Sequence, residues 1–503
     1  MRQRAPVAFL VLMILSAACA VGPGYRRSPL GIPNGWRPPT ASEDSLRSFF
    51  DSLRSGRDIL LPPGTDTARV PFGYDTASIR TGGDSGAALR WVDLIQDSVL
   101  RQLVDTSLRA NRDMRTALAV IDEFRAQYRA TRGALLPELT GNGRAGRNEQ
   151  AFGTFGSFTY NVYQATADLS WEVDVWGRLR RATSAARSDL VAREEDRRAL
   201  QLSLIGDVAT GYFDLRAADL NLAIARRTLD SRRQTLALAR RRLDQGLISE
   251  LDVRQFEAEV ASPAASVADF ERQVAQQENA LSVLVGHNPG AIARGRALTE
   301  MAARIPVPAG VPSALLGNRP DVRGAEATLR AATARIGVAQ AAWLPTFTIT
   351  GQYGTQSTEF SKWFASGTNI WQAFAGVSIP LFKEGRPGAG EQVNIARARA
   401  SQARSRYEQT VLVALREAED ALVGLRAAHD RGAAQERQVI ALRRALELAD
   451  MRYRNGVSSY LDLLDAQRGL FGAELALTQA ERDQLVAAVQ LYRAVGAEWP
   501  AKH

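Results

Sequence analysis

The chain has 503 residues, with 63 Lys+Arg against 54 Asp+Glu, a formal net charge of +9 and a hydrophobic content of 45%. Its single Cys excludes an intramolecular disulfide framework and any Cys-cluster zinc or iron–sulfur site, and three histidines (His287, His429 and His503) leave little for a metal centre, a cofactor or a triad. All the basic residues but Lys362, Lys383 and Lys502 are arginine, and they are interleaved with acids, which reads as solvated helix faces rather than a nucleic-acid footprint.

Arg2 and Arg4 precede an apolar run from Ala5 to Leu15, and Ser16, Ala17, Ala18 and Cys19 follow. A charged start, a short apolar stretch and small residues make residues 1–18 an export signal, too short for a spanning helix. Cys19 sits directly after the small residues and resembles the lipidated N-terminus of a bacterial lipoprotein. The plainer alternative is cleavage at a nearby alanine, leaving a spare thiol. Residues 19–90 read as that N-terminus followed by an extended linker or insertion, Asp/Ser/Gly/Pro-rich from about residue 40.

From residue 91 the chain repeats itself. Asn111-Arg112-Asp113-Met114-Arg115 is echoed by Asn318-Arg319-Pro320-Asp321-Val322-Arg323, and Leu136-Pro137 returns 208 residues later as Leu344-Pro345. Gly246-Leu247-Ile248-Ser249-Glu250-Leu251-Asp252 returns at an offset of 210 as Gly456-Val457-Ser458-Ser459-Tyr460-Leu461-Asp462. Two copies follow, 91–300 and 301–503, each predicted as helix, strand, strand, long helix, tight turn, long helix. Arg178 to Asp244 is 67 residues without proline, about 100 Å as a helix. In the second copy Val411, Ala418, Leu425, Gly432, Val439, Leu446 and Tyr453 fall seven apart, which is coiled-coil spacing. The export signal and the strands argue against a long cytosolic coiled coil.

The predicted strands alternate. Tyr163, Ala165, Ala167, Leu169, Trp171, Val173 and Val175 share one face, and Gln164, Thr166, Asp168, Ser170, Glu172 and Asp174 share the other. In the second copy Trp371, Ala373, Ala375, Val377, Ile379 and Leu381 oppose Gln372, Gly376 and Ser378, with Phe374 the exception. The preceding strands are Leu139/Gly141/Gly143/Ala145 and Phe347/Ile349/Gly351/Tyr353. Such segments suit an outer-membrane barrel, and a periplasmic sandwich would alternate identically. Four strands cannot close a barrel, and open edges are not tolerated in lipid. Two chains would give eight strands and a filled interior, three would give twelve and room for water.

These residues resemble the TolC-type outer-membrane efflux duct family, in its lipoprotein branch. The resemblance rests on Cys19-Ala20-Val21-Gly22-Pro23-Gly24-Tyr25 with Pro29, on Trp91 to Leu136, on Leu344-Pro345, and on Tyr453 through Ser459-Tyr460-Leu461-Asp462-Leu463-Leu464-Asp465-Ala466-Gln467-Arg468. It implies a mainly α fold with transmembrane β: a homotrimer whose twelve-stranded outer-membrane barrel continues into a long periplasmic α-helical coiled-coil barrel. It further implies a passive duct, not an enzyme, working with a periplasmic adaptor and an inner-membrane pump of the resistance-nodulation-division type. The alternatives are a protein-export duct of a type I secretion system and a pore-less structural lipoprotein.

The same resemblance places a periplasmic gate at Tyr453, Leu461, Asp462, Asp465 and Arg468, with Asp252 in the first copy. Three-fold symmetry would turn Asp462 and Asp465 into stacked carboxylate rings, which attract cations. Arg468, three residues after Asp465 on the same helix face, is placed to partner it within or between chains. The competing reading is capping, since Ser249 with Asp252 and Ser459 with Asp462 each read as an N-cap with an acid at N3. Gly246 and Gly456 supply positive φ in the turns. Leu247 and Val457 are then exposed apolar tips, suited to an adaptor's helical hairpin.

Overall fold

A computed structural model describes residues 21–25, 91–151, 153, 156–302, 318–381, 390–458, 460–497 and 499. The chain forms two compact units, and each draws on both repeats.

The first unit comprises Met1–Leu30, Thr116–Arg197 and Pro320–Thr410. It holds one antiparallel sheet in the order β1 (Glu138–Ala151), β2 (Ser157–Val173), β3 (Thr346–Ser357), β4 (Asn369–Ser378). Directly opposed residues share a face, so the register tests the alternation across all four strands. The rows Leu139–Leu169–Gly351–Ala373, Trp171–Ile349–Ala375 and Val173–Phe347–Val377 are apolar. Alternating with them run Thr140–Asp168–Gln352–Gln372, just before the Leu169 row, and Glu172–Thr348–Gly376, between the Trp171 and Val173 rows, which are polar or small. Phe374, opposite Thr350, interrupts the polar face. β1 and β4 are the edges of the sheet, each paired on one side only within the chain.

The strands end earlier than the alternation predicts, because Val175, Ile379 and Leu381 lie beyond them. Asp174 explains the first case. Its carboxylate accepts from the amides of Leu179 (3.1 Å) and Arg180 (2.8 Å), so it caps the next helix instead of extending the strand. Pro380, which has no N–H to offer a ladder, follows Ile379 in the second. Residues Val21–Tyr25 are tied to this unit: Val21 N–H donates to Trp176 O (3.1 Å), Arg181 donates to Gly22 O (2.8 Å) and Tyr25 Oη donates to Glu326 (3.0 Å).

The helices are α1 (Trp91–Leu94), α2 (Ser98–Ala110), α3 (Arg112–Gly133), α4 (Arg178–Asp244), α5 (Glu250–Val285), α6 (Leu298–Ala302), α7 (Pro320–Ala341), α8 (Glu391–Arg454) and α9 (Tyr460–Ala494). The proline-free stretch is a single helix of 67 residues, α4. Among the described residues no helix is long and apolar enough to cross a membrane.

The second unit comprises Gly31–Arg115, Arg198–Arg319 and Val411–His503. Its core follows the seven-residue spacing of α8: Val411, Ala418, Leu425, Val439 and Tyr453 are buried, and Gly432 and Leu446 partly so. Trp91 is fully buried, donates to Ala497 O (2.9 Å) and packs on Tyr492. Asp97 accepts from Val99 N–H, Arg296 N–H and Tyr212 Oη, each at 2.8 Å, and so joins α2, α4 and the segment before α6. Burial raises the Tyr212 phenol well above its ordinary range, so it remains a donor.

Candidate functional site: the paired hairpin turns

The second unit contains both tight turns that join the long helices. The first joins α4 to α5. Gly246 takes φ +72°, its N–H donates to Leu243 O (2.8 Å), and Leu247 N–H donates to Arg242 O (2.9 Å). The second joins α8 to α9. Gly456 takes φ +73°, its N–H donates to Tyr453 O (3.0 Å), and Val457 N–H donates to Arg452 O (2.9 Å). Both are Schellman closures, which require a residue without Cβ at the left-handed position. An apolar residue one place further on usually folds back onto the helix. Here Leu247 is 67% exposed and Val457 68% exposed, because the positions it would cover carry Arg242 and Arg452.

α5 opens with a complete capping box: Asp252 N–H donates to Ser249 Oγ (3.3 Å), and Asp252 Oδ2 accepts from Ser249 N–H (2.9 Å) and Oγ–H (2.8 Å). Asp252 therefore holds its own helix start. The equivalent Ser459 lies outside the described residues. Leu461, Asp462 and Asp465 are exposed on the first turns of α9. Tyr453 is elsewhere, in a core formed by Leu236, Ala239, Val253, Phe256 and Leu463. The Arg242 guanidinium lies 4.7 Å over its ring, and its hydroxyl is buried without a hydrogen bond. The structure thus separates the expected gate residues into an exposed acidic pair and an interior tyrosine.

Within the chain, Arg468 makes a different bond from the one expected from spacing. It bonds Glu259 on α5 (Nε–Oε1 2.8 Å), not Asp465. Glu259 is 6% exposed, and a buried carboxylate without a cation would be far more costly than an exposed one in water. It takes two cations: Arg468 from α9, and Arg232 from α4, itself 4% exposed. Burial lowers the Arg232 pKa, Glu259 raises it and Arg468 lowers it again, while the bond to Glu259 raises that of Arg468.

Arg232 makes a second bond, from Nη1 to the backbone carbonyl of Glu259 (2.9 Å). Pro263 is inside α5, four residues beyond Glu259, and has no N–H to give that carbonyl. The guanidinium fills the gap. Sequence reasoning missed Glu259 and Arg232; Pro263, inside a predicted helix, was the signal that could have found them. Glu474 on α9 repeats the arrangement, buried and held by Arg227 (2.6 Å) and Arg443 (2.9 Å). Among the described residues no group of His, Cys, Asp and Glu is placed to hold a metal ion.

A four-stranded sheet, apolar on one face and polar on the other, together with duplicated helical hairpins, defines a subunit of an outer-membrane channel. The chain belongs to the outer membrane efflux protein family, whose model matches residues 103–287 and 311–497. It is 36% identical to the solvent efflux pump outer membrane protein SrpC of Pseudomonas putida over 411 residues, 81% of this chain and 87% of that protein. It is 32% identical to the cation efflux system protein CusC of Escherichia coli over 81% of this chain and 88% of that protein. A crystal structure of CusC superposes with a TM-score of 0.79 at 28% identity, covering 95% of this chain and 100% of that one. The open state of the Neisseria gonorrhoeae MtrE outer membrane channel superposes with a TM-score of 0.74 at 32% identity, covering 83% and 94%. The chain is an outer-membrane efflux channel protein, mainly α with a transmembrane sheet, and channels of this family are passive ducts.

Proposed function

We propose that three copies of this chain form the outer-membrane duct of a tripartite efflux system, through which small molecules leave the cell without chemical change. The observation that carries the reading is the sheet: its apolar rows run unbroken across three or four strands, and both of its edges need partners in lipid. Three such sheets close a twelve-stranded barrel with the apolar rows outward and the polar rows around water. The long helices continue the conduit into the periplasm. The class of cargo is supported by the relatives named for solvents and for cations, and spans drugs, toxic compounds and metal ions.

In this reading the exposed turns at Gly246, Leu247, Gly456 and Val457 dock a periplasmic adaptor, which couples the duct to an inner-membrane pump of the resistance-nodulation-division type. Tyr453, Leu461, Asp462, Asp465 and Arg468, with Asp252 in the first copy, form the periplasmic gate: Asp462 and Asp465 carry its charge, Arg468 ties α9 to α5 through Glu259, and Asp252 caps α5. Cys19, outside the described residues, carries the lipid that fastens the N-terminus to the outer membrane, and Cys19→Ser should abolish palmitate labelling. The division into an N-terminal segment of 19–90 and repeats of 91–300 and 301–503 fits one hairpin and one strand pair per repeat.

The deciding measurement is single-channel recording in planar bilayers with the purified trimer. Discrete conductance is expected. Ala375→Arg, on an apolar row, should prevent insertion by costing about 2–4 kcal/mol near the bilayer midplane, whereas Thr166→Arg on the polar face should insert and alter conductance. A trimer that inserts without conducting, or equal responses of the two faces, would sink the reading.

A further inference from the structure

The polar face of the sheet carries one arrangement that closing a barrel does not require. Asp168 stands in the row Thr140–Asp168–Gln352–Gln372, and every hydrogen bond its carboxylate makes comes from a neutral donor. Oδ2 accepts from Asn142 Nδ2 on β1 (2.5 Å) and from Thr166 Oγ1 (3.3 Å), and Oδ1 accepts from Gln352 Nε2 on β3 (2.7 Å). Gln352 Oε1 in turn accepts from Gln372 Nε2 on β4 (2.7 Å), so amide donors from β3 and β4 point along the row towards one carboxylate, and Asn142, opposite Thr166, reaches it from the next polar row of β1. A carboxylate that accepts three bonds and donates none has the hydrogen bonding of the ionised form.

The other carboxylate that β2 places on this face is Glu172, and its charge is matched by Arg178 through two bonds (3.0 and 2.6 Å). Asp168 is held by dipoles, which fix its position but leave its charge uncancelled. Arg144, four residues beyond Thr140 on β1, lies on the same face opposite Gln164, roughly 13 Å further towards the β1–β2 hairpin.

We propose that Asp168 sets the charge preference of the barrel, so that cationic solutes pass it more readily than anions, with Arg144 as an opposing charge nearer the hairpin. This rests on the trimeric barrel, in which three copies of Asp168 stand at one height in a water-filled lumen with low-dielectric walls, where fields are focused. An asparagine at 168 keeps one acceptor oxygen for Asn142 and Thr166, and the Gln352 and Gln372 amides can reverse so that Gln352 Oε1 accepts from its NH2. The substitution then removes the charge and keeps a hydrogen-bonded row.

The test is the reversal potential of single channels in a KCl gradient. Because Asp462 and Asp465 share the conduit and add their own preference, each variant is recorded with and without D462A/D465A. Wild type should favour potassium over chloride. Asp168→Asn should lower that permeability ratio by about two- to threefold near 0.1 M salt and by more near 0.01 M, where screening is weaker. Arg144→Gln should raise it. Gln372→Glu, which adds a carboxylate in the same row, should raise it too, and it decides the matter if the Asp168 variant does not insert. Conducting channels whose ratio is unmoved by Asp168→Asn, or by Gln372→Glu where only that variant inserts, overturn the proposal and leave the duct standing. A wild-type trimer without conductance removes the duct itself.

Discussion

Arg232→Met isolates the double role of one guanidinium, which bonds both the Glu259 carboxylate and the carbonyl that Pro263 leaves unpaired. A buried acceptor left without a donor costs about 1–3 kcal/mol. Breaking a buried ion pair costs about 3–5 kcal/mol when nothing replaces the lost partner, and here Arg468 remains. Together about 3 kcal/mol of local stability is at stake in the first half of α5. Amide exchange over residues 253–263, followed by mass spectrometry, should accelerate by roughly a hundredfold, since each 1.4 kcal/mol is a factor of ten. Pro263→Ala restores an N–H for the Glu259 carbonyl, so the double variant should recover about 1 kcal/mol, roughly fivefold in rate, beyond the helix-propensity gain seen with Pro263→Ala alone. Two effects that combine independently, within about 0.3–0.5 kcal/mol, would show that Arg232 is not compensating for the proline.

Asp462→Ala with Asp465→Ala should raise single-channel conductance and weaken block by multivalent cations with the trimer intact. If both are unchanged and only about 1 kcal/mol of helix stability is lost, these acids do nothing but cap. Leu247→Asp with Val457→Asp should abolish efflux-dependent resistance in cells while leaving conductance in bilayers unaltered; retained resistance would place adaptor docking elsewhere. Glu481 is raised to about 7 by burial first and by Glu436 second, so the folded state binds a proton that the unfolded chain releases near pH 4.5. Local stability of the second unit should therefore fall as pH rises from about 4.5 to about 7, by about 1–2 kcal/mol after allowing for solvent screening, and Glu481→Gln should flatten that slope in an exchange measurement.

The sheet was legible in the sequence because the period of a strand is two and a one-residue error would put Leu169, Trp171 and Ile349 on the wrong face. The turns were legible because Gly246 and Gly456 recur at a fixed offset with the same neighbours. Val175, Ile379 and Leu381 were misplaced since alternation carries no information about where a cap or a proline takes over. Spacing along a helix sees only that helix, so it points Arg468 to Asp465. The partner it bonds within the chain is 209 positions away, on a helix that the sequence does not show to be adjacent. Burial decides such contests: Glu259 is enclosed and Asp465 is in water, so the cation goes where its absence would cost more.

The same contest engages four arginines of a chain in which all but three of the 63 basic residues are arginine. Glu259 and Glu474 are each gripped by two guanidinium groups reaching from different helices. At Arg232 a single nitrogen, Nη1, donates to a carboxylate and a backbone carbonyl at once. A lysine ammonium is a compact point charge with a larger hydration penalty on burial. These enclosed ion nodes join α5 to α4 and α9, and α9 to α4 and α8. Carboxylates with such partners are bound to the fold and unable to meet a passing solute. Asp462 and Asp465, exposed on α9, and Asp168, held by neutral donors, are bonded by no arginine among the described residues, and it is these carboxylates that the proposed gate and charge preference use.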